Sequence, residues 1–324
     1  MEYRDLGQSG LTVSEISVGC WAIGGPAWRD GNPVGWSGAD DEQSLAGLRK
    51  AFELGINHFD SADVYGDGHS ERMVGRFLKE VPREQVVIAT KVGWFRGTAE
   101  NAFEPAHIRH QFEQSLVNLG TDYVDIYYFH NSNFGENDAY LEGAAEVVHR
   151  LKEEGKVRVV GQSTYSYADF VRVCPVTRPG VLQFHYNALT PTYDQPDGDL
   201  FAWAEEQGYG MVLFGPLGQG LLLDKYDPEN PPQFGAGDMR GPRGRFTADK
   251  LRALKPKLAR LKERFGSATE DLVRVALQYC LARSPHCCVI PGFKNARQVE
   301  SNAAAAGKPL TDDDVAFIRE VLQD

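Results

Sequence analysis

The sequence predicts a (β/α)8 TIM barrel, an α/β fold, from three observations. From Val13 onward, short β-branched or aromatic runs alternate with helical stretches; eight such pairs can be counted; and several of the runs are apolar nearly throughout, as strands buried on both faces are. Alternation alone also fits an open doubly wound sheet, but the count of eight favours closure. The 324 residues suit one barrel, so a single domain over 1–324 is expected.

The N-terminal segment YRDLGQSGLTVS reads as a β-hairpin turning at Gln8-Ser9-Gly10, placed to plug one barrel mouth. The strands are expected at 16–24, 56–62, 86–93, 123–130, 157–163, 181–187, 210–217 and 287–293. Helical patterns lie between them, among them 41–55, 105–120 and 270–284, the first two ending at a glycine that can take a left-handed turn. A further pattern at 311–322 adds extra C-terminal helical sequence beyond the repeat. The Gly/Pro-rich stretch 227–244 is too long for a plain connection and is expected to be functional.

Composition narrows the function. A chain with 42% hydrophobic residues, 24% charged residues and a net charge of −11 fits an ordinary globular protein and disfavours non-specific binding to nucleic acid or anionic membranes. A polyanionic cofactor would then have to be met by a few local Lys or Arg side chains and backbone N–H groups. The five cysteines form no Cys-x-x-Cys pair and read as free thiols. The start MEYRDLGQSG has no apolar h-region and no apolar run is long enough to span a bilayer, so a cytoplasmic protein is expected.

In a barrel the reactive residues sit at the C-terminal ends of strands and in the loops that follow. Asp60 ends the second predicted strand, Tyr65 lies in its loop, Lys91 ends the third and His130 the fourth. Taken singly, each is as readily a satisfied surface or core group; jointly they point into one mouth. Their chemistry also fits together. An ammonium beside a phenol stabilises the phenolate and lowers its pKa from about 10. Lys91 is expected to do this for Tyr65, Asp60 to hold the lysine, and His130 to hydrogen-bond a carbonyl and fix its angle.

These residues resemble the aldo-keto reductase family, whose Asp, Tyr, Lys, His tetrad falls on FDSADVYG (59–66), ATKVG (89–93) and YYFH (127–130). GCW (19–21), GQS (161–163), LQFHYN (182–187), FGPLGQGLLLDKY (214–226) and IPGFKNARQVESN (290–302) follow the family's order over nearly the whole chain. The resemblance implies reduction of an aldehyde or ketone with hydride from NADPH, with NADH the less favoured donor and Tyr65 the acid. It implies that Ser163 and Gln183 bond the carboxamide and that Phe214 stacks on the nicotinamide. The turn containing Leu217, Gly218 and Gly220 allows close approach of the pyrophosphate, which Lys225 and Arg240 neutralise. Gly292 belongs to the same cofactor set, Lys294 meets a 2′-phosphate, and Gln298 and Asn302 contact the adenine. Thr164, where many members carry Asn, and Phe293-Lys294, which replaces a Lys-Ser pair, depart from the family pattern. Trp21 and Trp94 are expected to wall an apolar substrate pocket, with core packing the other reading for each.

Other classes remain to be set against this. Some relatives of the same fold are cofactor-binding regulatory subunits of potassium channels or structural lens proteins; the channel type lacks a histidine at the position of His130. A barrel metallohydrolase needs clustered His and carboxylate ligands, and no His-x-His ends the first strand, so no metal is expected. Gly161-Gln162-Ser163-Thr164-Tyr165 lacks the second glycine of a nucleophile elbow, which disfavours a serine hydrolase.

Overall fold

The computed structural model describes residues 1–190, 193 and 199–323. Strands β1 (Tyr3–Asp5) and β2 (Thr12–Ser14) pair antiparallel with Tyr3 opposite Ser14, which is the expected hairpin. β3 (Val18–Gly19) begins the barrel, and a two-residue ribbon, β4 (Trp28–Arg29) with β5 (Asn32–Pro33), stands in the loop after it. The remaining barrel strands are β6 (His58–Asp60), β7 (Val87–Val92), β8 (Val124–Phe129), β9 (Val157–Ser163), β10 (Val181–His185), β11 (Gly210–Phe214) and β12 (Cys287–Ile290). All eight barrel strands are parallel and neighbour one another in sequence order. Parallel bridges Ile16–Val289 and Gly19–Gly292 join the last strand to the first and close the barrel.

The helices are α1 (Asp41–Glu53), α2 (His69–Leu78), α3 (Pro105–Leu119), α4 (Leu141–Glu153), α5 (Tyr167–Thr177), α6 (Leu200–Glu206), α7 (Ala248–Phe265), α8 (Thr269–Leu281), α9 (Ala296–Ala303) and α10 (Asp312–Gln323). Asp40, Ser166, Asp199 and Asn295 cap α1, α5, α6 and α9 with side-chain oxygens on the first free N–H groups. Among the described residues no helix is long and apolar enough to cross a membrane.

Period-two alternation sorts the strand residues. Phe59, Ile88, Val92, Tyr127 and Phe129 face outward into the helix layer, whereas Val87, Ala89, Ile126, Tyr128, Val181, Val212 and Cys288 fill the barrel. Leu6, Leu11 and Val13 of the N-terminal hairpin join that inner cluster, so the hairpin does plug the N-terminal mouth.

The first strand is much shorter than the predicted 16–24. Residues Cys20–Gly24 wind into a 3-10 turn. The cause is backbone crowding: a Cβ at Gly66, which has φ +60°, would lie 1.9 Å from the Gly24 carbonyl oxygen, and one at Gly24 would lie 2.9 Å from the Tyr65 carbonyl carbon. The chain must turn here to let the Tyr65 loop pass. The long stretch after β11 is pinned to the ribbon loop by a parallel bridge, Gly35–Asp238.

Candidate active site

The alternation that fills the barrel also aims its last polar layer. Asp60 and Lys91 end inward-facing rows of β6 and β7, and both are buried. Lys91 Nζ donates to Asp60 Oδ1 at 2.5 Å, to the Ser61 carbonyl at 2.6 Å and to Tyr65 Oη at 3.3 Å. Gln183, inward on β10, donates to the other Asp60 oxygen at 2.7 Å. His130, just past β8, sets its ring edge-on to Tyr65 with centroids 5.7 Å apart. Asp60, Tyr65, Lys91 and His130 therefore meet at the C-terminal mouth.

The electrostatics correct one expectation. The Tyr65 phenol is held well above its usual pKa, first by burial and then by the Asp60 charge, not lowered by Lys91. The reason is that Asp60 sits on the ammonium and cancels its field, while burial disfavours the phenolate. Tyr65 therefore stays a phenol. His130 is pushed well below its usual value by burial and, second, by Lys91, so its ring stays neutral. Its Nδ1 is buried with no hydrogen-bond partner. The mouth thus presents two neutral groups able to donate to one oxygen, over a neutralised ion pair.

An aromatic wall surrounds them. Trp21 stacks on Tyr65 with centroids 5.6 Å apart and planes 19° from parallel, and its indole N–H donates to the Val34 carbonyl at 3.1 Å. Trp94 stands edge-on to His130 at 6.3 Å and is 48% exposed, which is the reverse of core packing. Tyr165, given no role from the sequence, is also exposed and meets Phe214 edge-on at 6.1 Å.

A second group forms beyond Phe214. Lys294 is lowered by burial and then by the charges of Arg240 and Lys225, with Asp238 opposing; the three cations thus bear on one another. Arg240 donates from Nε and a terminal nitrogen to the two Asp238 oxygens at 2.9 and 2.7 Å and lies over the Trp36 and Phe234 rings at 4.3 and 4.2 Å. Lys294 donates its ammonium to the Ser37 carbonyl. Leu217 precedes a run of left-handed backbone, Gly218 (φ +58°), Gln219 (φ +59°) and Gly220 (φ +88°), and a Cβ at Gly220 would lie 2.5 Å from Lys225 Cε. Gln298, on α9, accepts from the Lys294 N–H at 2.8 Å, and Asn302 on the same helix is buried with its Nδ2 unpartnered. Gly292 bridges Gly19 at the rim, and Ser163 ends β9 opposite Gln183.

These residues fit an extended dinucleotide. Three neighbouring cations could meet its phosphates, the glycines leave backbone bare for close approach, and the buried, unpartnered Asn302 amide could take a further hydrogen bond.

The profile of the Aldo/keto reductase family matches residues 15–323. The chain belongs to the aldo-keto reductase family. It is 31% identical to L-galactose dehydrogenase of Arabidopsis thaliana, over 94% of this chain and 88% of that one. It is 29% identical to the NADH-specific methylglyoxal reductase of Escherichia coli (strain K12), over 100% and 99%. A solved holo aldo-keto reductase of Bacillus halodurans superposes with a TM-score of 0.76 at 28% identity, covering 99% of this chain and 96% of that chain.

In this aldo-keto reductase the sequence reading missed Asp238 and Ser37. Asp238 is buried, accepts from the Ser37 N–H and hydroxyl at 2.8 Å each, and holds Arg240 in place. The Asp238-Met239-Arg240 spacing was the available signal; Ser37, 201 residues away, carried none. Gln183 also has a contact not read from sequence, its bond to Asp60.

Proposed function

We propose that this chain reduces an aldehyde or ketone to the alcohol with NADPH, Tyr65 supplying the proton. The observation that carries the reading is the pair of neutral donors, Tyr65 and His130, set over the buried Lys91–Asp60 ion pair. His130 hydrogen-bonds the carbonyl oxygen and fixes its approach. Tyr65 donates its proton to that oxygen as negative charge develops, and the Lys91 ammonium, 3.3 Å from the phenol oxygen, stabilises the phenolate left behind. Asp60, held from its other side by Gln183, keeps Lys91 in position.

Bound NADPH supplies the hydride. Ser163, Gln183 and Phe214 would hold its nicotinamide end, Leu217, Gly218, Gly220 and Lys225 its pyrophosphate, Arg240 and Lys294 its phosphates, and Gly292, Gln298 and Asn302 its adenosine end. The mutually repelling cations Lys225, Arg240 and Lys294 favour NADPH, which brings one more phosphate than NADH. The methylglyoxal reductase relative, named for NADH, makes the choice of donor a matter for measurement. Trp21 and Trp94 form the substrate wall, and a small carbonyl compound is the partner.

The test mixes the protein with NADPH or NADH and a panel of aldehydes and follows loss of the reduced-nicotinamide absorbance. Oxidation of NADPH well above NADH supports both parts. Cofactor fluorescence that shows binding without turnover of any aldehyde in the panel would refute the reductase reading; the comparisons lend no support to the channel-subunit alternative, whose relatives lack a histidine at the position of His130.

A further inference from the structure

One side chain joins the aromatic wall beside Tyr65 to the basic group beyond Phe214. The half-buried Trp36 ring meets Trp21 edge-on, with centroids 5.8 Å apart and planes at 80°, and Trp21 in turn lies flat on Tyr65. The same Trp36 ring carries the Arg240 guanidinium 4.3 Å from its centroid. Arg240, Trp36, Trp21 and Tyr65 thus form an unbroken line of ring contacts from a cation of the cofactor group to the proton donor.

The members of this line are held differently. Trp21 is tied by its indole N–H to the Val34 carbonyl at 3.1 Å. Arg240 gives Nε and one terminal nitrogen to Asp238 and lies 4.2 Å from the centre of the Phe234 ring. The backbone on either side of Trp36 is pinned to the segment that carries Asp238: the Gly35 N–H donates to the Gly237 carbonyl at 3.0 Å, and the Ser37 N–H to Asp238 at 2.8 Å. The Trp36 indole N–H, by contrast, is buried with no partner. Its ring is therefore located by ring contacts alone, a guanidinium over its face and the edge-to-face contact with Trp21.

A phosphate would meet Arg240 at the terminal nitrogen that Asp238 does not take. Asp238 and Phe234 keep the guanidinium from swinging away, so the added bond sets its angle to the Trp36 face, and Trp36 has no hydrogen bond with which to resist. Coupling of this kind is reciprocal: a phosphate that tightens binding at the wall is itself bound more tightly when the wall is occupied.

We propose that Trp36 is a positioning residue that couples the phosphate end of the cofactor to the substrate wall. With Arg240 engaged, Trp36 holds Trp21 flat against Tyr65, and the carbonyl compound meets a preformed aromatic surface. This rests on the reductase reading of the same mouth.

The test measures kcat and KM for benzaldehyde at saturating NADPH. Trp36→Ala should raise that KM about fivefold or more with a smaller change in kcat, and Trp36→Phe, which keeps a ring for both neighbours, should recover most of the loss. Arg240→Gln should raise the same KM even with NADPH saturating, and Trp36→Ala/Arg240→Gln should be no worse than Trp36→Ala alone, because the line is already cut. A benzaldehyde KM unmoved in Trp36→Ala, or a double variant showing the product of the two single effects, overturns the proposal. Should Trp36→Ala not fold, Trp36→Leu takes its place with the same expectations. If no aldehyde is reduced, the reductase reading has failed and Trp36 is judged by tryptophan emission titrated with NADP+, with binding followed in parallel by calorimetry. A saturable change in the wild type that is lost in Trp36→Phe while NADP+ still binds supports the coupling. A change that survives Trp36→Phe, binding with no change in the wild type, or no binding at all overturns it.

Discussion

Asp63 should make this protein less stable as the pH rises from mildly acidic values to neutrality. Its side chain is buried in the turn that carries Tyr65: one oxygen accepts from Gln111 Nε2 at 3.2 Å, and the other has no partner. Burial, with the nearby Glu71 second, pushes its carboxyl up to about 7 from the usual 3.8, against the opposing pull of Gln111, the Val64 N–H and Arg29. A raised folded-state value means that the unfolded chain gives up the proton first. The stabilisation is fully present below about pH 4 and is lost as the pH rises through about 7. The shift of about three units, at about 1.4 kcal/mol each, sets an upper limit of about 4 kcal/mol. Asp63→Asn keeps an oxygen for Gln111 and abolishes the titration. Urea midpoints of both proteins from about pH 5 to about pH 8 should show the variant gaining on the wild type by a few kcal/mol across that range. Glu71 is present in both; removing its repulsive neighbour enlarges a difference of the same sign. A wild-type-minus-variant difference that stays flat with pH would refute the reasoning.

Tyr65→Phe removes the proton donor and leaves the Trp21 stack in place; reduction should fall by at least about a hundredfold while cofactor fluorescence titrates as in the wild type. Asp60→Asn keeps an amide oxygen for the Lys91 ammonium but removes its counter-charge and sets an NH2 against the Gln183 Nε2 donor, and should lower stability by about 3–5 kcal/mol in denaturant titrations. Lys294→Gln should raise KM for NADPH about tenfold with little change for NADH; equal effects on both would remove the 2′-phosphate from its role.

What could be read from the sequence follows from the range over which each feature is encoded. The eight strands were legible because a strand buried on both faces needs a continuous apolar run, and VVIATKV or YVDIYYF announces itself locally. The end of the first strand was not, because it depends on Gly24 meeting Gly66 across the mouth. Likewise the stretch 227–244 stood out as too long, yet its partner Gly35 lies about 200 residues away with no local signal. Tyr65 and Lys91 could be placed at one mouth from strand ends alone. The sign of the effect of that mouth on Tyr65 could not, since it turns on burial and on which oxygen of Asp60 reaches the ammonium first.

That inversion bears on how specificity is divided. The barrel's inner layer neutralises itself: Asp60 cancels Lys91, Gln183 occupies the remaining oxygen, and burial keeps Tyr65 and His130 uncharged. Such a centre offers hydrogen bonds to any carbonyl oxygen and has no net charge with which to choose among substrates. Discrimination must then come from groups outside the strand ends, where side chains hang on loops and can differ without disturbing the packed layer. Two exposed rings hang there: Trp94, edge-on to His130, and Tyr165, edge-on to Phe214. A loop exchange that replaced residues 94–104, which carry Trp94, while sparing the strands should therefore change which carbonyl compounds are taken far more than it changes how the proton from Tyr65 is delivered.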